Sequence, residues 1–123
     1  MFGFKKKKEQ KKTETKASEY NYEQSKNYRG FKRVKLSSYG HKLSEAGIAV
    51  LTGSDLSDAA INIRVIADQY PRVEVRVNGN QVGTIWKRSN EEYYQWFKSG
   101  SVDKARVEIS DGDSYLFIHK MDL

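Results

Sequence analysis

The chain has no cysteine, a single proline (Pro71) and only two histidines, His41 and His119, in 123 residues. Without cysteine there is neither a disulfide framework nor a thiolate metal site, and the absence suits a reducing, cytoplasmic setting. The two histidines stand in no spacing that would gather metal ligands, so no metal or other cofactor is expected. No apolar run approaches the roughly 18 residues that a membrane-spanning helix needs. Lys5–Lys8 run on into polar residues rather than an apolar stretch, so no secretory leader is expected. Position 2 is Phe, so N-myristoylation is not expected either. No nucleophile or acid–base motif is present, and the expectation is a protein that is not an enzyme and takes no small-molecule substrate.

What is there is charge, unevenly spread. The net charge is +6; residues 1–12 hold six lysines against Glu9, whereas residues 31–123 hold 13 basic and 12 acidic residues. The high pI therefore describes the start of the chain more than its body. Residues 1–29 lack apolar periodicity and are rich in Lys, Glu, Gln, Ser and Asn, which reads as a disordered tail. Its opening Met-Phe-Gly-Phe-Lys-Lys-Lys-Lys fits weak contact with an anionic membrane, phosphate contact with nucleic acid, or simple solubilisation.

From Phe31 onward the pattern is that of short strands. Phe31–Leu36 is the first, Ile48–Leu51 a short buried run, and Leu43–Ala46 a helical turn closed by Gly47. Ile61, Ile63 and Val65 alternate with Asn62 and Arg64, the mark of a strand with one buried face. Val73, Val75 and Val77 alternate in the same way with Arg72, Glu74 and Arg76. Asn78-Gly79 then supplies the two positive-φ residues of a type I′ turn, and Gln81–Trp86 returns as the partner strand. Gly83 within that strand predicts a bulge or a close backbone approach. Ser89 is the predicted N-cap of a helix through about Lys98, in capping-box spacing with Glu92. Tyr93, Trp96 and Phe97 would form its apolar face, Tyr94 would point to solvent, and Gly100 would end it. Val102–Ile109 and Ser114–Met121 complete a second hairpin about Asp111-Gly112. The expected fold is mainly β, a small antiparallel barrel with one helix near residues 90–98, following a tail at 1–29. The alternative is helix and sheet in separate layers.

Val77-Asn-Gly-Asn-Gln-Val-Gly83, followed by Lys87-Arg88 and a helix from about Asn90, resembles the HIRAN domain. In that family a small β-barrel places a strand, a short turn and a "QVG" strand ahead of a helix. The resemblance spans roughly residues 61–118. It departs from the family before the hairpin, where an Asn-Pro-Tyr-Asp-like loop is replaced by Asp68-Gln-Tyr70-Pro71-Arg72. What it implies is binding of DNA, particularly single-stranded ends. Tyr70 would match the loop tyrosine, Thr84 would approach the strand end, Lys87 and Arg88 would be a basic pair, and Tyr115 would stack on a base.

The residues support a similar expectation on their own terms. Arg72 and Arg76 on one strand, with Lys87 and Arg88 at the end of its partner, would make a basic stripe, blunted by Glu74. Alternatively they are a solvated strand face with cross-strand pairs. Trp86 is either half-buried core at the barrel rim or a stacking platform. The expected function is a nucleic-acid-binding module, with a protein- or membrane-surface interaction domain tethered by its basic tail as the other possibility.

Overall fold

A computed structural model describes residues 17–25, 29–37, 56–110 and 112–121. The predicted turn at Leu43–Ala46 and strand at Ile48–Leu51 lie outside them, as do residues 1–16 and Asp111. The elements in chain order are β1 (Ala17–Glu23), β2 (Lys32–Lys35), a 3₁₀ turn (Leu56–Asp58), β3 (Ala60–Ile66), β4 (Arg72–Val77), β5 (Asn80–Trp86), α1 (Glu91–Lys98), β6 (Val102–Ser110) and β7 (Asp113–Lys120). The described helices include none long and apolar enough to cross a membrane.

The strands form two antiparallel sheets, one ordered β1-β3-β4-β5 and the other β2-β7-β6. The expected barrel is thus corrected to two sheets whose ladders do not run continuously round. Each seam is held by one bridge, Ser37 to Thr84 beyond the end of β2 and Gln24 to Ala105 beyond the end of β1. The physical reason is strand length: β2 is only four residues long, and β1 ends just before its bridging residue.

Residues 17–23, expected in the tail, instead form β1, paired with β3 from Ala17↔Ile66 to Glu23↔Ala60. Tyr20 and Tyr22 alternate with Glu19, Asn21 and Glu23 and pack against the core. Two tyrosines two residues apart carry the strand signal there; the low overall hydrophobicity hides it.

Period-two alternation places the core. Val34 and Leu36, Ile61, Ile63 and Val65, Val73, Val75 and Val77, Ala105 and Val107, and Leu116 and Ile118 all join one buried cluster. Each fully buried branched side chain is worth about 1.5–3 kcal/mol relative to exposure. Asn78 (φ 50°) and Gly79 (φ 83°) take the paired positive angles of a type I′ turn. The Asn78 side-chain oxygen also accepts the Ala60 N–H at 3.0 Å, tying the turn to the start of β3.

Both expectations for Gly83 are met. The β4–β5 register shifts between Val75 and Arg76, so that Val82 is the extra residue of a bulge. A Cβ on Gly83 would lie 2.5 Å from the Leu36 Cβ.

The helix differs from expectation in two ways. The Trp86 carbonyl accepts the N–H groups of both Ser89 (3.2 Å) and Asn90 (3.0 Å), so a turn leads out of β5 and the helix starts one residue later. Asn90, not Ser89, is the N-cap, and it makes no side-chain capping bond. The buried side of α1 runs through Tyr94 and Phe97, each 1% exposed, with Tyr93 and Trp96 as half-buried shoulders. Tyr94 is therefore core rather than surface. With aromatics at four of five consecutive positions, periodicity alone does not choose the inward meridian. Gly100 (φ 75°) ends the helix in a Schellman arrangement, its N–H bonded to the Phe97 carbonyl (3.1 Å) and that of Ser101 to Trp96 (2.8 Å).

Candidate functional site

The loop from β3 to β4 and the turn after β5 form the walls of a groove of about 860 Å³. Tyr70, Pro71, Trp86, Lys87 and Arg88 line it, with Ser37, Gln69, Ser89 and Glu91 around them. Tyr70 is 63% exposed, the large hydrophobic side chain left most open among the described residues. Pro71 holds the residue before it extended, and the Pro71 carbonyl accepts the Lys87 N–H at 3.1 Å, which joins the two walls.

Arg72 organises this loop. Its Nη1 donates to the Tyr70 carbonyl at 2.8 Å and to the Asp68 carboxylate at 3.3 Å, while its Nε donates to Glu74 at 3.0 Å. Asp68 in turn accepts the Tyr70 N–H at 2.7 Å, an Asx turn that aims the tyrosine outward. The guanidinium also lies 5.9 Å from the Trp86 ring centre. Two carboxylates and a carbonyl take up the fork of donors, so Arg72 builds the wall instead of offering a free charge. Glu74, its partner, is buried and does not simply blunt a surface stripe.

The remaining expected site residues divide. Lys87 and Arg88 both face the groove, Lys87 half-buried with its Nζ 5.8 Å from the Tyr94 ring centre and Arg88 exposed. Burial, and after it the Asp68 carboxylate, raises the Tyr94 phenol above its ordinary value. Thr84, expected to approach a ligand, is only 1% exposed, and its hydroxyl has no hydrogen-bond partner. The Ser37 backbone pairs with it on both sides, at 2.8 and 2.9 Å, and closes the place a ligand would need. Arg76 is half-buried on β4 across from Gln81, about 13 Å along the strand from Arg72. Tyr115 is on β7 in the other sheet, with the Arg33 guanidinium 3.9 Å from its ring centre. Tyr70, Lys87 and Arg88 thus come together; Arg72 supports them; Thr84, Arg76 and Tyr115 stand apart from the lining.

Sequence reasoning leaves Trp86 open between core and platform, and it takes a place in the groove wall while half-buried. It also leaves Arg72 between a basic stripe and a paired strand face, although the signal for pairing is present: Asp68, Arg72 and Glu74 lie within one turn and strand start. Among the described residues no three His, Asp or Glu side chains cluster as a metal site would need. His119 pairs through Nδ1 with Asp103 at 2.7 Å, which holds that carboxyl below its usual range. An exposed phenol ring beside two cations can stack on a flat ring and neutralise an anion joined to it.

No family model matches the chain, and no curated protein or solved structure matches it.

Proposed function

We propose that this protein is a non-catalytic module that binds single-stranded nucleic acid, or the frayed end of a DNA duplex, in the groove between Tyr70 and Arg88. The observation that carries the reading is the convergence of the exposed Tyr70 ring with Lys87 and Arg88 around one open groove. Stacking on an exposed ring tolerates any base, and paired cations follow the phosphate backbone. The resemblance of Val77–Gly83 and the following Lys87-Arg88 to HIRAN domains supports the same ligand class. Arg72 serves by holding the tyrosine loop open against Asp68 and Glu74.

Fluorescence anisotropy of a labelled oligodeoxythymidine tests this. Lys87→Ala/Arg88→Ala in the full chain should weaken binding about tenfold and lower the slope of log K against log salt by about 1.4, at ~0.7 per phosphate contact on a single strand. An unchanged slope and affinity in that double variant would sink the groove as the binding site.

A further inference from the structure

The outward side of the β2-β7-β6 sheet carries a second arrangement of rings and cations, outside the groove. Leu116 and Ile118 of β7 point into the core, so Tyr115, Phe117 and His119 share the other face. Each has a basic residue directly across the ladder. Lys35 and Glu108 stand on either side of Tyr115, Arg33 and Arg106 on either side of Phe117, and Lys104 stands opposite His119, whose Nδ1 pairs with Asp103. The Arg33 guanidinium carbon lies 3.9 Å from the Tyr115 ring centre. Lys35 and Arg106 have carboxylate neighbours, Asp113 at 3.6 Å and Glu108 at 3.3 Å. Arg33 and Lys104 are exposed; Lys104 lies near enough to Asp103 to add to the lowering of that carboxyl, after His119.

This face is continuous with the groove. Ser37, which lines the groove, lies two residues beyond Lys35 on the same chain segment. A strand leaving the groove past Ser37 would meet Lys35 and Tyr115 first, then Arg33 and Phe117, then His119 and Lys104. Alternate residues of a β-strand are about 6.7 Å apart, twice the ~3.4 Å rise of a stacked duplex strand. Bases can match that ring spacing only when pulled apart from one another, which a duplex forbids and a flexible single strand allows.

We infer that the outward face of the β2-β7-β6 sheet is a second contact surface for single-stranded nucleic acid, extending the groove by successive ring–cation steps along β7. The inference rests on the reading of the groove as a nucleic-acid site, and its test separates the two.

The test is anisotropy with oligodeoxythymidines of two lengths, a 5-mer and a 15-mer, on the full chain at one salt concentration. Arg33→Gln/Lys104→Gln changes two exposed side chains and leaves the buried core untouched, and thermal melting checks that the fold persists. The double variant should bind the 15-mer about tenfold more weakly and the 5-mer by a clearly smaller factor, because a 5-mer seated in the groove leaves fewer nucleotides for the sheet face than a 15-mer does. The lysine-rich start of the chain is the same in both proteins and cancels from the comparison. An iodouracil-substituted 15-mer should photocrosslink to the peptide containing Tyr115 and Phe117. Unchanged 15-mer affinity in the double variant overturns the inference, as does a loss confined to anionic vesicles, which would assign the face to a membrane. If Lys87→Ala/Arg88→Ala leaves both lengths unaffected while Arg33→Gln/Lys104→Gln still weakens the 15-mer, the groove reading fails and the sheet face stands.

Discussion

Where β5 meets the chain beyond β2, main chain meets main chain. Ser37 and Thr84 exchange two backbone hydrogen bonds, at 2.8 and 2.9 Å, and Leu36 fills the space that a side chain on Gly83 would occupy. Where β6 meets the chain beyond β1, a side chain adds two bonds to a main-chain bridge. The Gln24 amide donates through Nε2 to the Val107 carbonyl at 3.1 Å and accepts the Val107 N–H through Oε1 at 2.7 Å. It thus stands in for the peptide group of a missing strand residue. Around it, Ser25 donates its N–H to Ala105 at 3.2 Å, and Arg106 donates to the Ser25 carbonyl at 2.8 Å. The difference teaches that one seam depends on having no side chain at a position, the other on having one particular side chain. Each seam also borders a groove. Ser37 lines the proposed binding groove, while Gln24 and Tyr22 line a smaller one of about 480 Å³ with Asp103 and Lys104.

The backbone seam should be the more sensitive. In Gly83→Ala the new methyl would sit 2.5 Å from the Leu36 Cβ and 3.3 Å from the Ser37 carbonyl. Both are fixed by their own backbones, so relief requires β5 and the end of β2 to separate. The expected cost is about 3 kcal/mol, read as a fall in the urea midpoint at unchanged m-value. Nucleic-acid binding in the groove should weaken as well, because Ser37 moves with Leu36. A variant within about 0.5 kcal/mol of the parent would show that this seam opens freely, and the contrast between seams would vanish.

The side-chain seam comes second. Gln24 is 5% exposed, and replacing it by leucine keeps most of the packing while leaving the Val107 N–H and carbonyl without their partners. The expected loss is about 2 kcal/mol, the penalty of stranding buried polar groups. Gln24→Glu should do no better, since a carboxylate cannot donate to the Val107 carbonyl. A neutral Gln24→Leu would mean that packing and the bonds around Ser25 close this seam without the amide.

These seams also mark where the sequence stops being readable. The two hairpins, the helix and the alternating strands are legible because each rests on residues within about ten positions of one another, such as Asn78-Gly79 or Val73, Val75 and Val77. Gln24 meets Val107 across 83 residues, and nothing local distinguishes it from other polar residues of a lysine-rich stretch. The candidate site divides along the same line. Lys87 and Arg88 are legible as a basic pair at the end of a strand, whereas Tyr70 enters only through the resemblance of its loop. The burial of Thr84 is not legible, because it depends on Ser37, far away along the chain. Arg72 stays open between a basic stripe and a paired strand face, because charge pattern counts a guanidinium without showing what it pairs with; here two carboxylates claim it.

The smallest expected effect separates the seams by pH. The Tyr22 hydroxyl donates to the Val102 carbonyl at 3.2 Å, beside the Gln24 clasp. Its pKa is pushed up to about 12, chiefly by burial, with Tyr20 and then Asp103 adding to the effect. In the unfolded chain the phenol ionises near pH 10, so above that pH the unfolded state holds fewer protons than the folded one. Stability contributed by Tyr22 is therefore complete below pH 10 and lost as pH rises toward 12. The described backbone contacts at Ser37 and Thr84 include no ionising group and should not share this loss. Tyr22→Phe should cost about 1 kcal/mol at pH 8, the worth of one hydrogen bond. Between pH 10 and 12 its urea midpoint should draw level with that of the parent, while Gly83→Ala keeps a constant gap. The other tyrosines ionise in both proteins and cancel from the difference. A Tyr22→Phe gap that stays constant to pH 12 would show that this phenol titrates alike in the folded and unfolded states, leaving both seams indifferent to alkali.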